Sequence, residues 1–119
     1  MFQKGSFIAP SDSSGVFLVK VMQTYRVNQR KHARIGNFLK VILKNTRVRL
    51  IKKRKKKMKA IAIRTKVVTV KTSGVYYKFF DNGLVLLKKR LNTLGKEIKG
   101  PTSTALKIKK FRIAFNAIF

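Results

Sequence analysis

The most constraining stretch of this sequence is residues 50–59, where seven of ten positions are Lys or Arg and the chain then passes directly into small and branched apolar residues. The imbalance extends over the whole chain, which has 30 Lys and Arg against 3 Asp and Glu and a formal net charge of +27. So few carboxylates cannot neutralise so many cations, and self-repulsion opposes any compact state formed alone. The sequence therefore predicts a polyanion as the habitual partner.

Phosphate backbones are the polyanion that this charge pattern favours. Lys and Arg that neutralise phosphates release condensed counterions and gain an affinity that falls steeply with salt. An anionic membrane is the competing surface. A chain that lies on a membrane typically shows one long amphipathic basic helix, whereas the apolar residues here mostly follow the period of a strand. No stretch longer than seven residues lacks a charged side chain, far short of the ~20 that a spanning helix needs.

The apolar pattern predicts one domain built mainly from β-strands. At 119 residues and 45% hydrophobic, the chain is long and apolar enough to bury one core. Residues 38–46 alternate, with Leu39 and Val41 on one face and Lys40 and Lys44 on the other.

Two segments are expected to depart from this core. Residues 47–57 have too little apolar content to be buried and predict an exposed arm or β-ribbon, while Ile61 and Ile63 beyond it are expected to enter the core. In the tail, apolar residues recur between positions 108 and 118 at helix-like spacing, although an alternating strand fits the same letters.

Side chains for catalysis or metal binding are scarce. There is no cysteine, and the single histidine, His32, has no second His or Cys with which to share a metal ion. Asp12 and Asp81 fall in turns, where a carboxylate typically bonds nearby backbone, and Glu97 is expected to form an ion pair. We therefore expect no enzyme activity, no cofactor and no metal, and we interpret His32 as a loop residue that is solvated or faces RNA.

The positive charge is spread over most loops, which favours an extensive nucleic-acid surface over a merely solvated run or a localisation signal. The predicted RNA-binding residues are Arg30, Lys31, His32, Arg34, Lys40, Lys44, Arg47, Arg49, Lys52, Lys53, Arg54, Lys55, Lys56, Lys57, Arg64, Lys66, Lys71, Lys88, Lys89 and Arg90.

The order of several short motifs resembles the family of the universal fourteenth protein of the large ribosomal subunit, here called the L-fourteen family. The most specific part is "AIAIRT" at residues 60–65, followed at the family's spacing by Ser73, Gly74, Phe79, Asn82, Val85 and Leu86. "DSSG" at 12–15, "RKHARIGN" at 30–37 and "GP" at 100–101 are similar to further family segments. The resemblance extends over essentially the whole chain.

This resemblance implies an all-β fold with minor α: a small closed five-stranded β-barrel with a projecting basic β-ribbon and short C-terminal helices. It implies a single domain over residues 1–119, with the barrel at about 1–100, the basic arm at about 47–57 and the helical segment at about 101–119. The implied function is that of a structural constituent of the large subunit which binds large-subunit rRNA and contributes to a bridge with small-subunit rRNA.

The implied protein partners are the third and nineteenth large-subunit proteins and a ribosome silencing or anti-association factor. Two other functions stay open on the residues alone, namely a free nucleic-acid chaperone that binds single strands and a membrane-active cationic protein.

Composition bears on the compartment. Residues with AT-rich codons, above all Lys, Ile and Phe, outnumber those with GC-rich codons by about two to one. Together with the basicity and the lack of a recognisable presequence, this favours a mitochondrially encoded protein of the mitochondrial matrix and its ribosome, with a plastid or an AT-rich bacterial cytoplasm as the alternative.

Overall fold

The computed structural model describes residues 2–25, 32–46, 57–88, 92–95, 97–104 and 106. All regular elements in these residues are strands, which confirms the predicted all-β class: β1 (Phe2–Gln3), β2 (Phe7–Ile8), β3 (Val16–Thr24), β4 (His32–Ala33), β5 (Phe38–Thr46), β6 (Lys57–Arg64), β7 (Thr69–Val70), β8 (Tyr76–Tyr77) and β9 (Gly83–Leu87). Within the same residues, no helix has the length and apolar character needed to cross a membrane.

The main sheet has five antiparallel strands in the order β2-β3-β5-β6-β9. Its centre is β5, whose bounds are those that the alternation at 38–46 predicts. Leu39 and Val41 on β5 are fully buried, whereas Lys40 and Lys44 on the opposite face reach solvent. The period-two pattern therefore identified both the strand and its buried side.

The segment after β2 runs along the far edge of the sheet. The Ser11 backbone N–H donates to the Leu84 carbonyl at 2.9 Å, and the Leu86 N–H donates to the Asp12 carboxylate at 3.2 Å. Because β9 is the last strand of the sheet, these bonds join its outer edge to the N-terminal part of the chain. They satisfy backbone groups that an open edge would leave unpaired.

The strand β9 and the second part of β6, from Ala60 to Arg64, are buried on both faces. Ala60 and Ala62 of β6 belong to a cluster that includes Leu39 and Val41. On the opposite face of the same strands, a second cluster lies beneath the C-terminal part of the described chain: Ile35, Ile61, Ile63, Val85, Leu87, Ile98 and Leu106. A residue run such as 84–87, apolar on both faces, is what a strand between two buried layers requires.

Ile61 and Ile63 are buried in the core, as expected. They pack in the second cluster, however, while Ala60 and Ala62 face the cluster shared with β5. The small side chains lie where the sheet encloses its first cluster, and the larger ones fill the space beneath residues 98 and 106. Since both faces are apolar, composition alone could not decide between them.

Two predicted features fall wholly or largely outside the described residues. The arm is described only from Lys57 onward, and the tail is not described beyond residue 106. Residues 101–104 and 106, where the description reaches the expected helical segment, contain no helix. His32, interpreted from the sequence as a loop residue, lies instead in the short strand β4, which pairs with β1.

Candidate nucleic-acid interface

Lysines surround a single apolar side chain on the outer face of the sheet. Ile42 on β5 pairs with Lys20 on β3 and with Lys57 on β6. Lys40 and Lys44 lie two residues before and after it on the same face, because side chains of a strand alternate between faces. All four nearest positions around Ile42 on this face are therefore lysines.

A fifth lysine extends this group, which we call the lysine face: Lys20, Lys40, Lys44, Lys57 and Lys59. Lys59 pairs directly opposite Lys40. Its Nζ lies 4.6 Å from the ring centroid of Phe38 and 5.7 Å from that of Tyr25. Such cation–π contacts stabilise an ammonium group near the rings by about 0.5–1 kcal/mol at exposed sites.

The acids lie elsewhere. Neither β3, β5 nor β6, over their described ranges, contains an Asp or Glu. Asp12 is buried and accepts from the Ser14 hydroxyl at 2.6 Å. Asp81 pairs with Arg64 at 3.0 Å. Glu97 lies after β9, outside these three strands. The strands of the lysine face thus bring no anion of their own to it.

Arg64 occupies a different place from the one expected of an RNA-binding residue. It is 6% exposed. Its Nε donates to Asp81 at 3.0 Å, its Nη1 to the carbonyls of Lys99 and Pro101 at 2.8 and 3.2 Å, and its Nη2 to the Ser11 hydroxyl at 2.7 Å. All three guanidinium nitrogens donate to acceptors within the chain. We therefore assign Arg64 a structural role and leave it out of the interface.

Gly100 makes room for that guanidinium. Its φ is +85°, and a Cβ built there would lie 2.5 Å from Arg64 Nη1. The position combines a left-handed backbone conformation with a close approach, and both favour glycine.

The other predicted RNA-binding residues divide by whether the structure describes them. Arg34, Lys44, Lys57, Lys66 and Lys88 are exposed, and Lys40 and Lys71 are partly exposed. The side chain of His32 and the following residues lie outside the described part: Arg30, Lys31, Arg47, Arg49, Lys52, Lys53, Arg54, Lys55, Lys56, Lys89 and Arg90.

Sequence reasoning missed Lys20 and Lys59 as members of the interface. Lys20 lies in an apolar strand, and Lys59 is the last cation of the basic run at 50–59, inside β6. The pairing register of β3, β5 and β6 places both residues in the lysine face, and a single sequence does not give this register.

An apolar surface, here called the hairpin patch, lies on and beside β7 and β8. Its exposed side chains are Val67, Val68, Val70, Val75, Tyr76 and Phe80. Phe80 is 99% exposed and borders a pocket of ≈ 380 Å³ that Phe79 and Pro101 also line. A group of large exposed apolar side chains in one part of a chain is more typical of a protein contact site than of bare surface.

Metal chemistry has no support in the part of the chain that the structure describes, where no three His, Cys, Asp or Glu side chains form a group able to hold an ion. The fold and its surface define a strongly basic all-β protein. Residues 1–117 match the family Ribosomal protein L14p/L23e, and the chain belongs to this family.

Individual relatives agree with this assignment. The chain is 41% identical over 115 residues to "Large ribosomal subunit protein uL14m" of Tetrahymena pyriformis, covering 97% of each chain. It is 29% identical to "Large ribosomal subunit protein uL14" of Carsonella ruddii (strain PV), over 93% of this chain and 91% of the relative. For "Large ribosomal subunit protein uL14c" of Helicosporidium sp. subsp. Simulium jonesii, identity is 26% over 85% and 83% of the two chains.

These findings confirm several predictions. The chain is a structural constituent of the large ribosomal subunit, and its family is a structural class without enzyme activity. The identity to uL14m exceeds that to uL14c, which confirms the mitochondrial assignment over the plastid alternative.

Proposed function

We propose that this protein is held in the large subunit by large-subunit rRNA, which it binds mainly through backbone phosphates. The observation that carries the proposal is the lysine face: five lysines on strands that contain no Asp or Glu. Contacts to phosphate position a protein on RNA without reading its sequence, and such contacts need only cations of suitable spacing.

The exposed cations outside the lysine face extend the proposed contact surface. Arg34, Lys66 and Lys88 are exposed, and the basic arm at 47–57 would lie along RNA, where each cation exchanges repulsion for a phosphate contact. The many cations directly before β6 repel one another, and bound RNA would offset this repulsion.

Sedimentation tests the proposal most directly. In a sucrose gradient of mitochondrial extract, the protein should migrate with the large subunit at low salt and be released at high salt. With about ten phosphate contacts, the logarithmic salt slope of rRNA binding should be on the order of −7 to −9. A protein that stays at the top of the gradient and binds DNA as well as RNA would instead be a free nucleic-acid chaperone.

The arm can be tested separately from the sheet. Replacement of Lys52, Lys53, Arg54, Lys55 and Lys56 by Gln, which leaves Lys57 of the lysine face in place, should weaken incorporation into the large subunit, because phosphate contacts are lost. The circular dichroism spectrum should remain that of the parent protein. Loss of the β signal in this variant would show that the arm supports the fold itself and would contradict this division of roles.

For the architecture, we propose that the sheet closes into a five-stranded barrel within a single domain, with a projecting ribbon at 47–57 and helices in the C-terminal segment beyond residue 106. Closure is supported by the bonds from the segment at 11–12 to β9. Hydrogen exchange should then protect the Leu84 and Leu86 region as strongly as the central strand β5.

We also propose that the protein contributes to the bridge with small-subunit rRNA and contacts the third and nineteenth large-subunit proteins and a silencing or anti-association factor. The hairpin patch supports a protein contact, because it offers apolar side chains that RNA does not require. Crosslinking mass spectrometry of intact ribosomes should connect Lys66, Lys71 or Lys78, which flank the patch, to a neighbouring protein.

A further inference from the structure

We propose that the lysine face is a phosphate-binding platform on which one rRNA strand lies across β3, β5 and β6, with its phosphates seated around Ile42. The inference rests on the proposed function and adds Lys20 and Lys59, which were not among the predicted RNA-binding residues. It also assigns the outer face of the sheet, rather than the loops alone, to RNA contact.

The pairing register places the ammonium groups so that they can share anions. Lys40 and Lys59 are directly opposed on antiparallel strands, which puts their Cβ atoms about 4.5–5.5 Å apart. One phosphate can therefore meet both. Lys20 and Lys57 lie two strands apart, roughly 9–10 Å at the usual strand spacing, so they suit different phosphates on either side of Ile42.

Electrostatics argues that this face is built for an anion. Like charges directly opposite each other destabilise a sheet, yet Lys40 faces Lys59 and both flank a position surrounded by further lysines. Ile42 at the centre has no side-chain donor or acceptor, and the three strands supply no carboxylate. A row of phosphates relieves the repulsion that the protein does not relieve itself.

Aromatic side chains orient two of the ammonium groups before RNA arrives. Lys59 Nζ lies 4.6 Å from the Phe38 ring centroid, and Lys20 Nζ lies 5.6 Å from that of Phe7. Two lysines of the platform are thus restrained over rings, which lowers the side-chain entropy lost on binding.

Two triple variants with the same change in charge test the platform. The platform variant carries Lys20→Gln, Lys40→Gln and Lys44→Gln. The control variant carries Lys4→Gln, Lys78→Gln and Lys99→Gln, three exposed lysines that lie outside the platform and outside the proposed RNA contacts. Binding to deproteinised large-subunit rRNA from the same mitochondria is measured across a salt series for the parent and both variants.

The platform variant should bind more weakly, with a salt slope less negative by about 2 to 3 than that of the parent protein, and the control variant should keep a slope close to the parent's. Without RNA, the platform variant should melt at a higher temperature than the parent, because opposed like charges have been removed.

Equal slopes for the two variants, with strong and salt-dependent binding by the parent, would overturn the platform and leave the proposed function standing. A parent protein that does not bind rRNA at all would instead overturn the proposed function. A platform variant that melts below the parent would show that these lysines support the fold, which also contradicts the inference.

Discussion

Arg64 and Lys40 lie on neighbouring strands of one sheet, but the groups that surround their charges differ. Arg64 is buried and donates to a carboxylate, a hydroxyl and two carbonyls. Lys40 is partly exposed and faces another lysine across the strand pair. The guanidinium is satisfied from within the chain, while the ammonium group requires water or an external anion.

The number of cations in a chain therefore does not give the size of its nucleic-acid-binding surface. Burial with internal acceptors converts a cation into a structural crosslink, and five donors in a planar fork suit Arg to that task. Exposure without an opposing acid leaves a cation available for phosphate. The following substitutions test the two states against each other.

Arg64→Met should produce the largest loss of stability, about 3 kcal/mol, because a Met fills the space but leaves the acceptors of Ser11, Lys99 and Pro101 without their donor. Urea denaturation of the refolded protein measures this. The matched control is Arg34→Met at an exposed position, where a change within about 0.5 kcal/mol is expected. Similar losses for the two variants would show that Arg64 has no special structural role.

Gly100→Ala should cost less, about 2–3 kcal/mol, because the new methyl group meets the Arg64 guanidinium in addition to the strain of a positive φ. Gly74→Ala is the control, since Gly74 has the same φ of +85° but nothing within 4 Å of its added Cβ. Its loss should be about 1 kcal/mol. If thermal denaturation gives equal losses for both variants, the close approach to Arg64 does not matter.

Lys40→Glu should have the smallest effect and the opposite sign. The new carboxylate faces Lys59 and should stabilise the RNA-free protein by about 0.2–1 kcal/mol, and most of this gain should vanish in about 1 M salt. Lys40→Gln removes the repulsion of Lys59 without adding an attraction, so it should increase the stability of the RNA-free protein by less than Lys40→Glu. A drop in melting temperature for both would contradict the view that repulsion acts across this strand pair.

Much of the fold could be predicted from the sequence where one face of a strand is apolar and the other charged. The strand at 38–46 is the clearest case, because Lys40 and Lys44 can only face outward while Leu39 and Val41 need burial. In the turn between β7 and β8, Gly74 adopts the positive φ that such turns use.

Prediction was incomplete where the deciding contact is distant in sequence. Ile61 and Ile63 alternate with alanines on a strand buried on both faces, so only the packing of residues 98 and 106 reveals which face each pair occupies. The charge of Arg64 is plain in the sequence, but its acceptors are spread from position 11 to position 101. Lys20 and Lys59 became part of the proposed platform only through strand register.

The wide sequence separation of the partners of Arg64 also affects how the protein folds during its synthesis. During synthesis Arg64 is made before residues 99–101, so its guanidinium lacks two carbonyl acceptors until those residues follow. We expect a nascent polypeptide that has not yet docked these residues to be sensitive to protease, and to become resistant as they dock. Completion of this part of the fold would then wait for a segment made late in synthesis.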